Sequence, residues 1–197
     1  TGSGGPINNG ASTIGFWRNK NGQALITNGA SSGGVCNAGA WLRQYAPYQD
    51  LSTTATCSQV ATYATTLINA ATASGPSMNA MLKAQMLATS LSVYFSDPAL
   101  GGNRIAAPAP IGGVSIDLTR ICNMIDASSG TATCSGVYQD ASGAFGGAAS
   151  LTVSQMLAHA ASQANAGGSL WYGNVKATQE LAKNAFDAIN NRVAFAP

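Results

Sequence analysis

Residues 77–96 read SMNAMLKAQMLATSLSVYFS, and the rest of the chain must pack around them. Apolar side chains fall on nearly every side of a helix drawn through this segment, and Lys83 is its only charge. A helix that is apolar almost all round is a buried helix. The segment therefore predicts the central element of the fold, ended by Asp97-Pro98 because proline cannot continue a helix.

Amphipathic helices are predicted on both sides of this central element. Apolar residues over 60–71 and over 181–193 follow the i, i+3, i+4, i+7 spacing of one helix face, and Gly75-Pro76 is expected to end the first of these helices. Thr152 and Gln155 have the spacing of a capping box that starts a further helix, which Gly167-Gly168 is expected to end.

Shorter elements complete the predicted fold, which is mainly α. Helices are expected over 13–26 and 38–45, and Asp117 is expected to cap another that carries Leu118, Ile121, Cys122 and Ile125 on one side. Strand is limited to a pair at 104–107 and 114–116 and a segment at 137–138. The prediction is a single-core irregular bundle of five to seven helices with long disulfide-tethered loops and little strand, over residues 13–197. Residues 1–12, rich in Gly and Ser, are expected to be a flexible N-terminal arm or linker.

Charge is unusually scarce in this chain. Nine Lys and Arg and seven Asp and Glu make up 8% of its 197 residues, against about 25% in a typical soluble protein. No basic run is present, so nucleic-acid binding is not expected, and no apolar run approaches the length of a membrane span, so membrane insertion is not expected. A chain this poor in charge suits close packing against other surfaces outside a cell.

The four cysteines predict two disulfides. None belongs to a CxxC pair and the single histidine, His159, is distant in sequence, so no metal site is expected. Of the three possible pairings we predict the local one, Cys36–Cys57 and Cys122–Cys134, because each pair flanks a loop rich in Gly, Ser and Thr. Four free thiols are the alternative. Disulfides would place the chain in an oxidising compartment.

The opening segment of the predicted domain resembles a known family. Residues 15–26 read GFWRNKNGQALI, similar to the GFW-basic-NKNGQALI opening of an uncharacterised extracellular domain at the C-terminal end of large modular bacterial surface proteins, after immunoglobulin-like or SdrD B-like repeats. Residues 82–94 and 182–191 also resemble it. The resemblance implies a secreted or surface-displayed location and supplies no catalytic residue.

Two aromatic segments are candidate binding sites. Trp17 could lie in a ligand groove with Arg18 as an anion contact, and Trp171 with Tyr172 could stack on sugars or on a partner. The favoured interpretation for both segments is that the rings pack in the core, because buried aromatic side chains dominate core energetics.

No catalytic residue or cofactor is predicted. His159 falls on the flank of its helix without a recognisable nucleophile motif, and most of the seven acids suit caps or solvated pairs. The leading hypothesis is an extracellular structural or interaction module: an adhesin-like terminal domain or filament subunit that contacts copies of itself or neighbouring surface domains. A glycan-binding module using the exposed aromatics is the alternative, and a secreted hydrolase the third.

Overall fold

The computed structural model describes residues 10–73, 78–125 and 133–195 and confirms the mainly helical class. Seven α-helices lie in these ranges: α1 (Ile14–Arg18), α2 (Lys20–Thr27), α3 (Asn37–Leu42), α4 (Cys57–Thr72), α5 (Met78–Ser96), α6 (Val153–Ser162) and α7 (Lys176–Asn190). None of them combines the length and the apolar character that crossing a membrane requires. The first nine residues of the predicted arm and the predicted break at Gly75-Pro76 lie outside the described residues.

Short strands in the described ranges form three two-stranded antiparallel sheets. The pairs are β1 (Ser31–Ser32) with β2 (Val35–Cys36), β3 (Ser115–Asp117) with β6 (Ser150–Thr152), and β4 (Ile121–Ile125) with β5 (Thr133–Gln139). The last pair is the longest, and its hairpin contacts α7 through β4. The sheets therefore pack against the helical core and do not form a separate core.

The predicted central helix is the centre of the core. Every side chain of α5 from Leu82 to Ser96 is buried except that of Lys83, and no other helix buries as many. The helices α4 and α7 pack against α5 along its length. Burial of a large apolar side chain contributes about 1.5–3 kcal/mol, so α5 makes the largest helical contribution to the core.

A buried polar network joins α5 to α7. The Thr89 hydroxyl donates to Oδ1 of Asn190 at 2.8 Å, and Nδ2 of Asn190 donates to the backbone carbonyl and to Oε1 of Gln85, both at 2.9 Å. All three side chains are buried. Apolar contacts tolerate sliding, whereas these hydrogen bonds form at one register of the two helices, so the network sets how α7 lies on α5.

Two helices begin with complete capping boxes. Thr152 accepts from the backbone N–H of Gln155 at the start of α6, as predicted, and Gln155 accepts in return from the N–H of Thr152. Thr56 and Gln59 make the same reciprocal bonds at the start of α4, which the sequence analysis did not identify. Each cap typically stabilises its helix by about 1 kcal/mol.

The predicted helix capped by Asp117 is wrong. Asp117 ends β3, its carboxylate accepts from the N–H of Thr119 in a turn, and Ile121–Ile125 form β4. The apolar spacing fits a helix locally, but pairing with β5 holds the segment extended. A partner strand that lies outside the local window therefore overrides the helical pattern.

The other strand predictions are partly wrong as well. Residues 104–107 form no strand, and the segment predicted as their partner contributes to β3, which pairs with β6 instead. Register places Ile116 opposite Leu151. This pairing joins segments some 35 residues apart in sequence, which no local pattern could indicate.

Residues 10–12 are packed against the domain rather than belonging to a flexible arm. Ala11 and Ser12 are buried, and the N–H of Ser12 donates to the Ser92 hydroxyl on α5 at 3.2 Å. Nε of Arg192 donates to the carbonyl of Ala11 at 2.6 Å. The folded domain therefore begins before residue 13.

Both predicted disulfides are present. Cys36 is bonded to Cys57 and Cys122 to Cys134, across sequence separations of 21 and 12 residues. The first bond joins the end of β2 to the start of α4, and the second crosses the β4–β5 hairpin. Covalent closure of these two loops is compatible with an oxidising compartment.

Candidate functional sites: an interhelical cleft and a disulfide-tied hairpin

A cleft of about 560 Å³ opens beside the N-terminal part of α5. Residues on one face of α4 form one wall, and the first turns of α5 form another. Two loops, one after α3 and one after α6, close the sides. The lining residues are Asp50, Tyr63, Thr66, Leu67, Ala70, Asn79, Ala80, Lys83, Gly168 and Ser169.

The cleft contains a cluster of Lys83, Asp50 and Tyr63. Nζ of Lys83 lies 2.7 Å from Oδ2 of Asp50, and the Tyr63 hydroxyl donates to Oδ1 of the same carboxylate at 2.7 Å. The ammonium also lies 5.8 Å from the centre of the Tyr63 ring. The Lys83 side chain is 12% exposed and that of Asp50 is 44% exposed. The carboxylate therefore faces solvent while the ammonium is held within the wall.

The surroundings of Tyr63 keep its hydroxyl protonated. Burial first, and then the hydrogen bond to Asp50 and the negative charge of that carboxylate, raise the pKa of Tyr63 well above its usual value of 10.0. A phenol beside a carboxylate is more costly to ionise, since two negative charges would then be adjacent. At neutral pH, Tyr63 thus remains a donor that orients Asp50.

A glycine loop after α6 completes the cluster. The carbonyl of Gly167 accepts from Nζ of Lys83 at 2.7 Å. Gly168 has φ +68°, and a Cβ there would lie 3.1 Å from Cβ of Pro47 and 3.2 Å from Cδ of Lys83. The predicted role of this glycine pair in ending α6 is therefore wrong, because α6 ends earlier, at Ser162. The pair instead lets the loop approach the cleft.

Asn79 lies at the rim where α5 begins. Its Nδ2 donates to the carbonyl of Ser169 at 3.1 Å, which fixes the orientation of the amide. Its Oδ1 is buried and has no hydrogen-bond partner. Buried polar atoms are normally satisfied, and one that is not costs about 1–3 kcal/mol. The unpaired amide oxygen therefore lies beneath the rim, out of reach of solvent.

The first predicted aromatic site is part of the core. Trp17 is fully buried and stacks on Phe95 of α5 at 5.7 Å, with Phe16 edge-on at 5.0 Å. Arg18 is exposed, and its Nη1 donates to Oδ1 of Asn69 at 3.2 Å and to the Thr72 hydroxyl at 3.0 Å. Trp17 thus anchors α1, and Arg18 holds α1 against α4. Neither lines the cleft.

The second predicted aromatic site is also buried. Trp171 is fully buried and its Nε1 donates to the carbonyl of Gly168 at 2.7 Å. Tyr172 is 8% exposed, and its hydroxyl donates to the carbonyl of Ala144 at 2.7 Å. Neither of these two rings leaves a broad face free for a sugar to stack on. Trp171 does, however, hold the loop in which the carbonyl of Gly167 accepts a hydrogen bond from Lys83. It therefore helps to keep this side of the cleft in place.

The β4–β5 hairpin presents a different kind of surface. Three large apolar side chains on it are exposed: Ile125 by 53%, Val137 by 59% and Tyr138 by 38%. The guanidinium of Arg120 lies 4.0 Å from the centre of the Tyr138 ring. Nδ2 of Asn184 on α7 donates to Oε1 of Gln139 at 2.6 Å and so ties β5 to the core.

A bulge interrupts the pairing of this hairpin. Cys122 lies opposite Tyr138 and Met124 opposite Cys134, so one residue of β4 faces three of β5. Gly136 has φ +82°, and the N–H of Val137 donates to the Ser135 hydroxyl at 3.1 Å. Bulges disrupt the edge of a sheet and block regular strand addition. The hairpin therefore offers side chains to a partner rather than a regular strand edge.

Other polar features in the described ranges are smaller. A depression of about 250 Å³ between α7 and the hairpin is lined by Asn123, Met124, Gln139, Glu180, Lys183, Asn184 and Asp187. No group of three or more His, Cys, Asp or Glu in the part of the chain that the structure describes could hold a metal ion. His159 is half-buried on α6, with its ring centre 6.1 Å from that of Phe145.

The sequence analysis singled out Lys83 but not the residues around it. Lys83 stood out as the only charge in an otherwise apolar helix, which is the signal that could have located the cleft. Asp50 and Tyr63 carry no comparable signal, because Asp50 follows in an ordinary loop and Tyr63 fits the apolar stripe of α4. Comparisons of the chain with protein-family models, with curated proteins and with solved structures found no match.

Proposed function

We propose that this chain is an extracellular interaction module that associates with copies of itself through the β4–β5 hairpin. The observation that carries the proposal is the exposure of Ile125, Val137 and Tyr138 on a hairpin that a disulfide closes. Large apolar side chains that a folded element leaves in solvent are available for contact with a partner. Two disulfides support an extracellular setting, where thiols are oxidised.

A second copy is the favoured partner because of the charge of the chain. With a net charge of +2 and 8% charged residues, copies repel each other weakly. Few charged groups would have to lose their water when such surfaces meet, and that loss is the main cost of burying charge. Tyr138 and Arg120 add an aromatic and a guanidinium, both of which are enriched in protein interfaces.

Sedimentation velocity over a wide range of concentration tests this proposal. We expect the wild-type chain to associate as its concentration rises and Val137→Asp to weaken association by at least about tenfold, which corresponds to roughly 1.4 kcal/mol. The matched control is Val175→Asp, which places the same charge at a valine that is 51% exposed at the start of α7.

Two outcomes would contradict the proposal. One is a wild-type chain that stays monomeric at every concentration, and the other is an equal effect of Val137→Asp and Val175→Asp. Negative-stain microscopy of associated material then identifies the assembly, since head-to-tail contacts give filaments and two-fold contacts give closed particles.

A further inference from the structure

We infer that the cleft between α4 and α5 binds a neutral, hydroxyl-rich ligand, such as one or two sugar rings of an extracellular glycan. This inference does not rest on self-association, and the cleft shares no lining residue with the hairpin. It also differs from sugar stacking on Trp17 or Trp171, whose rings are buried.

The dimensions of the cleft suit a small molecule. Its volume of about 560 Å³ lies within the ~300–1,000 Å³ of typical small-molecule sites. Leu67, Ala70 and Ala80 give its walls an apolar character, against which the C–H face of a sugar ring can pack. The polar cluster of Asp50 and Lys83 stands beside these walls. An apolar wall with a few convergent polar groups is the usual composition of a ligand site.

The charges in the cleft favour a neutral ligand. The ammonium of Lys83 and the carboxylate of Asp50 pair at 2.7 Å and cancel each other. An anion in the cleft would be repelled by the carboxylate of Asp50, and a cation would be repelled by the ammonium of Lys83. A purely apolar ligand would cover both charges without replacing the water they lose, which is costly. A neutral ligand that forms hydrogen bonds avoids both penalties.

The spare hydrogen-bonding capacity favours hydroxyl groups. An ammonium has three N–H donors, and Lys83 uses two of them, on Asp50 and Gly167. A carboxylate accepts about four hydrogen bonds, and Asp50 receives one each from Tyr63 and Lys83. The free positions are thus both donor and acceptor, and a hydroxyl group serves both.

The polar groups are held in place before any ligand arrives. Lys83 lies on the most buried helix of the fold, and the loop that carries Asp50 is closed by the Cys36–Cys57 bond. Trp171 holds Gly168 through its indole N–H. A site that is ordered in advance loses less conformational entropy on binding, which favours affinity. The cleft therefore has the order of a binding site rather than of a random surface depression.

The test is an NMR titration of the ¹⁵N-labelled full chain with sugars of different charge. The probes are glucose, N-acetylglucosamine and cellobiose as neutral sugars, glucuronate as an anion and glucosamine as a cation. We expect the neutral sugars to shift the amides of Asp50, Tyr63, Lys83 and Gly168, with dissociation constants of about 1 mM or below. Glucuronate and glucosamine should bind at least about tenfold more weakly.

Two variants make the test specific. Ala70→Trp fills the cleft from an exposed position of α4 and should abolish these shifts, whereas Ala158→Trp, at an exposed position of α6, should not. Asp50→Asn leaves the charge of Lys83 uncompensated, so the preference should move from neutral sugars toward glucuronate. Circular dichroism confirms that each variant is folded.

Three results would overturn the inference. The first is the absence of cleft shifts with every neutral sugar at concentrations up to about 50 mM, and the second is equal or tighter binding of the charged probes by the wild-type chain. The third is an Ala70→Trp variant that binds as the wild type does. None of these results bears on self-association, which is measured without sugar.

Discussion

The two disulfides close loops in opposite surroundings. Cys36 and Cys57 are both buried, and the loop between them contributes Leu42, Tyr48 and Leu51 to the core. The Cys122–Cys134 bond instead closes a hairpin on which Ile125, Val137 and Tyr138 are exposed. The first disulfide thus closes a loop that belongs to the core, which we call the scaffold loop. The second closes the hairpin that carries the proposed contact surface. What a disulfide does depends on what surrounds the loop it closes.

Each region carries one of the two proposals. The scaffold loop contains Asp50 and so holds one side of the cleft. The hairpin carries Val137 and is fixed to α7 through Gln139. If the comparison is right, damage to the scaffold should reduce stability and cleft binding, whereas damage to the hairpin should reduce association at a smaller cost in stability.

Removal of each disulfide is expected to have the largest effects. Loop-closure entropy alone gives about 3 kcal/mol for either bond in the chain-entropy model. Cys36→Ala with Cys57→Ala also removes buried sulfur from the core, so we expect a loss near 4 kcal/mol in the free energy of unfolding. Cys122→Ala with Cys134→Ala should cost about 3 kcal/mol or less. Urea unfolding at equilibrium measures both, and a greater loss from the second pair would break the comparison.

Two asparagines on α7 sharpen the comparison within one helix. Asn190→Ala removes two hydrogen bonds to Gln85 and leaves a buried acceptor unpaired, so we expect a loss of about 2 kcal/mol in stability. Asn184→Ala removes one bond to the hairpin, at a half-buried position, and should cost about 0.5–1 kcal/mol. Thermal and urea unfolding of the two variants measure the difference. Equal losses would show that the hairpin is as integral to the fold as the contact between α5 and α7.

Alkali should destabilise the fold, because buried tyrosines would have to lose their protons. Burial raises the pKa of Tyr45 to about 12 and that of Tyr48, Tyr63 and Tyr172 well above the usual 10.0. The folded chain then keeps protons that the unfolded chain releases near pH 10. The stabilisation is therefore complete below about pH 10 and is lost as the pH rises from there toward the folded pKa values.

Urea unfolding between about pH 8 and pH 11.5 measures this loss. We expect stability to fall steeply above about pH 10, and Tyr48→Phe to reduce the slope by up to about 1.4 kcal/mol per pH unit. An unchanged slope in Tyr48→Phe would mean that this phenol is not protected from ionisation.

Features set within a few turns of the chain could be predicted from the sequence. The burial of α5 follows from apolar residues around its whole circumference, and the start of α6 follows from Thr152 and Gln155. The two disulfides follow from local spacing because both bonds close short loops. In each case the residues that form the pattern are close in sequence, so the pattern can be recognised without knowledge of the rest of the fold.

Features that depend on distant segments could not be predicted. The segment 121–125 has helical spacing but becomes a strand because β5 pairs with it. Trp17 and Trp171 were candidates both for the core and for a binding site, and the neighbours that cover them decided for the core. The family resemblance of residues 15–26 stays a prediction.

The sequence by itself determined the central helix, the cap of α6 and the pairing of the cysteines, since each depends on residues within one or two dozen positions. Only the tertiary structure decided which groups Lys83 contacts. Asp50, Tyr63 and Gly167 reach it from three separate segments, up to 84 residues away. Such convergence depends on how helices and loops pack, and a linear pattern does not encode the distances between them.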